Sequence, residues 1–407
     1  MLPLKKNYIT HMKKLTPLLF ILVYLFAEGC TGKTEQTTNK KIIVGAERTE
    51  FYLPLLKGKN VGLVVNQTSM VDSVHLIDYL YAKGVSLKAI YAPEHGYKGN
   101  VEAGKHFDNT TDPDTGVPVF SLYGKNRKPS PEILKGIDII IFDIQDVGVR
   151  FFTYISTLTK VMEACAENGI KVIVFDRPNP IGYYVDGPIL QPKFKSFVGI
   201  SPIPVAHGLT IGEYAMMANG EGWLKDGVQC DLQVIKIENY THASKYQLPI
   251  FPSPNLPNMK SIYLYPSICL FEGIKANEGR GTDYPFQQFG APYYTPHDFS
   301  YVPRSIPGKS LHPRFEGQTC YGYNLSETPI NELQEIKQIQ IKYVIDFYNK
   351  CDDKEHFFSK FFDKLAGTDQ LRQQIIEGKN EEQIRASWQE DLNKYKTMRK
   401  KYLLYKE

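Results

Sequence analysis

Between residues 59 and 180 the chain alternates two hydrophobic patterns. Residues 61–65, 87–91, 137–144 and 171–175 are short, nearly continuous apolar runs, and each reads as a buried strand. Residues 73–83 and 151–168 lie between such runs and follow a helical period, with Phe152, Ile155, Leu158 and Met162 at three- and four-residue spacing. Continuous apolar strands separated by helices require a parallel sheet covered on both faces. The pattern therefore predicts an α/β fold: a Rossmann-like parallel sheet in an N-terminal domain, followed by a smaller α+β C-terminal domain. No G-x-G-x-x-G follows any of these strands, so a dinucleotide has no phosphate cradle here and no cofactor is expected.

Beyond residue 180 the pattern loosens into a stretch rich in Pro, Gly and Tyr. Helices are expected at 210–219 and 261–271 and strands at 231–237 and within 311–325. Amphipathic helices are expected at 330–349, 369–377 and 381–403. The change in texture divides the chain near residue 300, into a domain over 42–300 and another over 301–407.

The N-terminus has a character of its own. Lys13 and Lys14 precede the apolar run 18–26, which is too short for a stable membrane span and fits the core of a secretory signal over residues 1–29. The run ends at Ala27-Glu28-Gly29-Cys30, which resembles a bacterial lipobox, so Cys30 is the expected lipidation site. Residues 30–41 are polar and suit a tether. The expected location is periplasmic, with membrane contact only through the lipid at Cys30. The whole chain of 407 residues carries a net charge of +4, of which the first 29 residues supply +3. A nearly neutral mature protein gives no electrostatic reason for a nucleic-acid partner. The other five cysteines are odd in number and form no C-x-x-C, so neither a disulfide framework nor a zinc site is expected.

Ligands of open parallel sheets bind beyond the carboxyl ends of the strands. The first strand is followed by Asn66-Gln67-Thr68-Ser69 and the second by Pro93-Glu94-His95-Gly96. After the third come Asp143, Gln145, Asp146, Gly148 and Arg150, and after the fourth Asp176-Arg177-Pro178-Asn179-Pro180. Together these outline a polar, carboxylate-bearing cleft. A second cluster, Asn277-Glu278-Gly279-Arg280-Gly281-Thr282-Asp283-Tyr284, brackets Glu278 and Arg280 with glycines that let backbone approach a ligand. His207-Gly208-Leu209-Thr210 is a third polar turn, with Thr210 placed to cap the helix that follows.

Neither G-x-S-x-G nor S-x-x-K is present, nor H-E-x-x-H, and the spacing of Glu94, His95, His106 and Asp108 matches no familiar metal site. No metal is expected. Several carboxylates with Arg, His and Asn donors are the equipment of glycoside hydrolysis. Residue types alone lead to an exported α/β hydrolase acting on a polar, polyhydroxylated substrate.

Seven segments in order make the reading sharper: VGLVVNQTS, YAPEHG, FDIQDVGVRFFTYISTL, VFDRPNPIG, VAHGLTIGEYA, PSPNLPN and FEGIKANEGRGTDYPF. This succession resembles the bacterial exo-β-N-acetylmuramidases of the NamZ type, from about residue 43 to the C-terminus. The resemblance implies an active site in a cleft between the two domains. It also implies release of N-acetylmuramic acid (MurNAc) from the non-reducing end of peptidoglycan fragments during wall turnover and recycling. MurNAc-GlcNAc saccharides are then the partners. It places the catalytic carboxylates on Glu94 and Glu278, with Glu94 the expected general acid, its proton held by burial or by a neighbouring carboxylate such as Asp143. Asn66, His95, Asp143, Gln145, Asp146, Arg150, Asp176, Arg177, Asn179, His207, Arg280 and Tyr284 are the expected substrate-binding residues. Arg150, Arg177 and Arg280 are candidates to grip the lactyl carboxylate of MurNAc. Asp146 or Glu278 would orient an acetamido group acting as internal nucleophile. The competing reading is a non-catalytic lipoprotein that binds wall fragments. An esterase or amidase on the same polymer would need an activated nucleophile, and none is evident.

Overall fold

The computed structural model describes residues 40–99, 108–124, 126–295 and 298–407. The expected signal sequence, His106 and the lipidation site Cys30 lie outside these. Twelve strands are present among the described residues: β1 (Asn60–Val65), β2 (Met70–Val71), β3 (Val74–His75), β4 (Ser86–Ala92), β5 (Thr110–Thr111), β6 (Pro118–Ser121), β7 (Ile139–Asp143), β8 (Lys171–Phe175), β9 (Leu232–Ile235), β10 (Gln288–Ala291), β11 (Ser300–Tyr301) and β12 (Cys320–Asn324).

Seven of them form the main sheet, in the order β5-β6-β4-β1-β7-β8-β9. All neighbours are parallel except β5, which runs against β6 at the edge. Without β5 this is the doubly wound order of a Rossmann sheet, and chain direction across the sheet reverses between β1 and β7. The expected fold class is therefore the observed one. Side chains alternate along each strand and feed two apolar cores. Val64, Ile140, Phe142, Val172 and Val174 face one, with the helix Tyr154–Asn168 over it. Val61, Leu63, Val65, Ile139, Ile141, Ile173 and Phe175 face the other, under the helix Leu76–Ala82. Burial on both faces is why these strands read as unbroken apolar runs.

The later part of the chain carries the antiparallel sheet β10-β12-β11 and a set of short helices. Two expected helices are broken. The stretch 330–349 is Ile330–Glu335 and Lys342–Lys350, because the amide of Ile339 donates to Asp186 (2.7 Å) and that of Gln340 to Ser267 (2.9 Å). These tertiary bonds take the place of helical ones. The stretch 381–403 divides at Trp388 into Glu381–Ser387 and Gln389–Arg399. Thr210 caps the helix Ile211–Gly220 as expected, in a reciprocal box with Glu213.

Candidate active site

After β4 the chain turns sharply at His95, whose φ of 72° is unusual for a residue with a side chain, and at Gly96 with φ 75°. The amide of Gly96 closes the turn on Pro93 (3.0 Å). This presents Glu94 half-buried and His95 buried at the sheet's carboxyl edge. After β7 the chain runs through 144–153 and enters the helix Tyr154–Asn168. Glu94, His95, Phe151, Phe152, Thr153, Tyr154, Ser253, Asn255, Tyr265 and Arg280 line one pocket of about 80 Å³. It is too small to enclose a whole saccharide, since pockets that enclose small molecules run from about 300 Å³ upward.

The walls of this pocket are held firmly. Tyr265 meets Phe151, Phe152 and Phe286 edge-to-face, with centroids 5.4, 5.9 and 4.9 Å apart. Thr153 stands at the N-cap of its helix yet makes no capping bond. Its hydroxyl instead points to Glu94 at a long 3.4 Å. The open, positive end of a 15-residue helix thus forms part of the wall. The Tyr123 hydroxyl also bonds to Glu94.

Opposite, the expected Gly-bracketed turn is fixed in place. Gly279 and Gly281 adopt φ of 85° and 80°. A Cβ on Gly279 would come within 2.5 Å of the Gln288 carbonyl, so only glycine fits there. Asn277 accepts from the Gly279 amide (2.7 Å) and from the Tyr301 hydroxyl (2.8 Å). Arg280 reaches the pocket while paired with Glu272 (2.7 Å) and Glu278 (3.1 Å). Glu278 itself is 6% exposed and is not part of the pocket lining. Burial pushes its carboxyl up, against the pull of Arg280. The structure thus brings Glu94 and Arg280 to one pocket and sets Glu278 behind the arginine.

Two further expected residues lie close by with unfilled bonding capacity. Asp146 is buried. One oxygen accepts from the Gly148 amide (2.7 Å), while Oδ1 has no partner. Burial raises its carboxyl to about 7. Asn66 is fully buried, its Oδ1 engaged by Thr68, its amide beside the Tyr154 hydroxyl. Tyr154 lines the pocket and feels the charges of both Glu94 and Asp146.

Most of the remaining expected residues are engaged within the protein, away from this pocket. Arg177 clamps Asp143 through two bonds of 2.6 and 2.9 Å, so Asp143 is not a free carboxylate beside Glu94, and Arg177 is not free for a ligand. Arg150 is 0% exposed and donates to the carbonyls of Pro188, Ile203 and Leu365, tying distant segments together. It cannot also grip a lactyl carboxylate. Asp176 accepts from Thr210, the Gly212 amide, the Arg177 amide and Tyr405. Asn179 bonds to Leu209 and Ile181, and Gln145 to the carbonyls of Asp146 and Pro178. His207 is fully buried, accepts at Nδ1 from the Leu209 amide and is kept neutral by burial, its value lowered to about 3. Tyr284 is 44% exposed and lines a separate cavity. A larger cavity of about 750 Å³, bordered by Gly182, Tyr183, His242, Lys396 and Arg399, contains none of the expected residues. Among the described residues no group of three or more His, Cys, Asp or Glu is placed to hold a metal ion.

Comparison with known proteins now bears directly on this geometry. Two models of the exo-β-N-acetylmuramidase NamZ match, the N-terminal one over residues 61–260 and the C-terminal one over 263–405. The chain belongs to the NamZ family. It is 39% identical to the peptidoglycan β-N-acetylmuramidase NamZ of Bacillus subtilis (strain 168), across 96% of this chain and 98% of that protein. Crystal structures of two DUF1343 family proteins from Bacteroides fragilis NCTC 9343 are similar to it, with TM-scores of 0.84 and 0.76 and identities of 47% and 34%. Each covers 90% of this chain and 99% of its own.

Sequence reasoning assigned no role to Tyr123, Thr153, Tyr154, Ser253, Asn255 or Tyr265. The signal was present in the segments FFTY and PSPN, which belong to the NamZ-like succession. Neither contains an ionisable group of the kind that draws attention to catalysis.

Proposed function

We propose that this chain is an exo-acting β-N-acetylmuramidase, a glycoside hydrolase that releases MurNAc from the non-reducing end of peptidoglycan fragments in wall turnover. One observation carries the reading: Glu94, just beyond the carboxyl end of β4, shares a pocket with Arg280. Glu94 serves as general acid on the glycosidic oxygen. Asp146, with a free oxygen and a carboxyl near 7, orients the acetamido group for attack on the anomeric carbon. Arg280 and the open end of the helix Tyr154–Asn168 hold the lactyl carboxylate. Glu278 acts through Arg280, setting its position and charge.

The direct test is a chromogenic aryl β-MurNAc glycoside and the disaccharide MurNAc-GlcNAc, each with the wild type and Glu94→Gln. Release of MurNAc by the wild type separates an enzyme from a protein that only binds wall fragments. We also read the protein as an exported lipoprotein of the periplasm, on the apolar run ending at Cys30. A Cys30→Ala variant that is still acylated, or a mature N-terminus elsewhere, would end that reading.

A further inference from the structure

The two stretches of chain that complete the Glu94 pocket also build a second cavity. The stretch 251–259 gives Ser253 and Asn255 to the first and Phe251, Asn258 and Met259 to the second. The stretch 280–287 gives Arg280 to the first and Tyr284 and Gln287 to the second. Asn255 and Asn258 are separated by at most about 11 Å of chain, so the cavities are neighbours. The second has a volume of about 470 Å³, within the range of small-molecule sites.

Its distinguishing group is Gln287, 1% exposed. The Gln287 Oε1 accepts from Asn258 Nδ2 (3.1 Å), and Asn258 is itself oriented because its Oδ1 accepts from the Ser261 amide (2.9 Å). That chain of bonds fixes which end of the Gln287 amide is which. The Nε2 end is left buried without a partner, on a residue that lines the cavity. An unpaired buried donor costs stability, and a ligand acceptor would satisfy it. Tyr284 and Phe251 supply aromatic surface, and Tyr284 is 44% exposed. The charged groups of the lining, Lys260 and Glu327, are one of each sign, unlike a site built for an anion.

We infer that this cavity is the subsite for the neutral N-acetylated hexosamine on the reducing side of the scissile bond. Gln287 Nε2 donates to its acetamido carbonyl or to a hydroxyl, and Tyr284 packs on the sugar ring. The inference rests on the muramidase reading. It makes Gln287 and Tyr284 determinants of leaving-group recognition and leaves the chemistry to the Glu94 pocket.

Kinetics on two substrates test it. In Gln287→Leu, kcat/KM on MurNAc-GlcNAc should fall roughly five- to tenfold through KM, while the aryl β-MurNAc glycoside, which lacks the second sugar, should change less than about twofold. Gln287→Glu keeps the acceptor for Asn258 and removes the free donor, so it should reproduce the split even where Leu disturbs folding. Saturation-transfer NMR with methyl β-GlcNAc reads the site without turnover: contact in the wild type, lost in both variants. Equal losses on both substrates, no loss on either, or methyl β-GlcNAc binding unaffected by Gln287 would overturn the subsite. A wild type that cleaves no MurNAc glycoside yet binds methyl β-GlcNAc through Gln287 would instead overturn the muramidase reading alone.

Discussion

The carboxyl end of β8 and the carboxyl ends of β4 and β7 carry the same kinds of residue, and the fold uses them differently. Behind β8, Asp176 accepts four hydrogen bonds, Asn179 pins two turns, and Arg177 is clamped on Asp143 at the end of β7. Every strong group there is answered from within the protein. Behind β4 and β7, Glu94 lines a pocket and accepts from the hydroxyls of Thr153 (3.4 Å) and Tyr123, while Asp146 keeps an oxygen without a partner and a helix begins uncapped. A buried group whose bonding is complete holds the fold together. One whose bonding is incomplete costs stability, and a substrate can repay it.

The largest effect expected from this contrast is at Glu94. Glu94→Gln keeps shape but cannot give a proton, and should lose about 10²–10⁴-fold on the natural disaccharide, the usual worth of acid catalysis. The loss should be much smaller on an activated aryl glycoside, and the melting temperature should barely move. Equal losses on both substrates would make Glu94 a nucleophile or charge stabiliser.

Arg177→Met should do the reverse. It leaves Asp143 buried without its partner, at a cost of about 3–5 kcal/mol in urea unfolding. The kcat/KM per active site of the folded fraction should stay near the wild-type value. A specific fall in KM-linked binding without loss of stability would return Arg177 to the substrate site.

A third and smaller effect concerns substrate charge. Of the three arginines that the sequence offered, only Arg280 lines the Glu94 pocket, and it does so while paired with Glu272 and Glu278. MurNAc glycosides should outpace GlcNAc glycosides by on the order of 10²-fold, the worth of a charge-assisted hydrogen bond that only the lactyl carboxylate can make. Arg280→Met should shrink that ratio. Comparable turnover of both sugars by the wild type would leave Arg280 without its assigned partner.

The contrast also marks how far the sequence can be read. β1, β7 and β8 were legible because burial on both faces leaves an unbroken apolar run. The polar strand ends were legible as a set, because turns need Gly and Pro and the cleft needs hydrogen-bonding groups. Saturation was not: whether Asp176 is answered depends on Tyr405, 229 positions away. The same holds for Arg150, whose partner Leu365 lies 215 positions on. Residues 336–341 read as helix because the bonds from Asp186 and Ser267 that break it are tertiary. The apolar core gives no seam between domains either, since one cluster runs from Val64 to Tyr395.

The smallest expected effect separates the two carboxylates that burial raises to about 7, Asp146 and Asp176. The fold penalises the charged form of Asp146, so the folded protein holds that proton to higher pH than the unfolded chain does. Its contribution is therefore most favourable below the unfolded value near 4 and is lost as pH rises toward 7, at about 1.4 kcal/mol per pH unit. Asp146→Asn removes this titration while keeping an acceptor for the Gly148 amide. Between pH 5 and 7 its stability should drop less steeply than that of the wild type, by about 2 kcal/mol in total, and at pH 7 it should be at least as stable and much slower on MurNAc glycosides. Asp176→Asn turns an acceptor into a donor amid groups that already donate to it, so it should be less stable than the wild type at every pH, with its folded fraction still active. Urea unfolding of the three proteins at pH 5, 6 and 7 decides it. A parallel pH dependence for Asp146→Asn and the wild type would mean that Asp146 is already ionised in the fold.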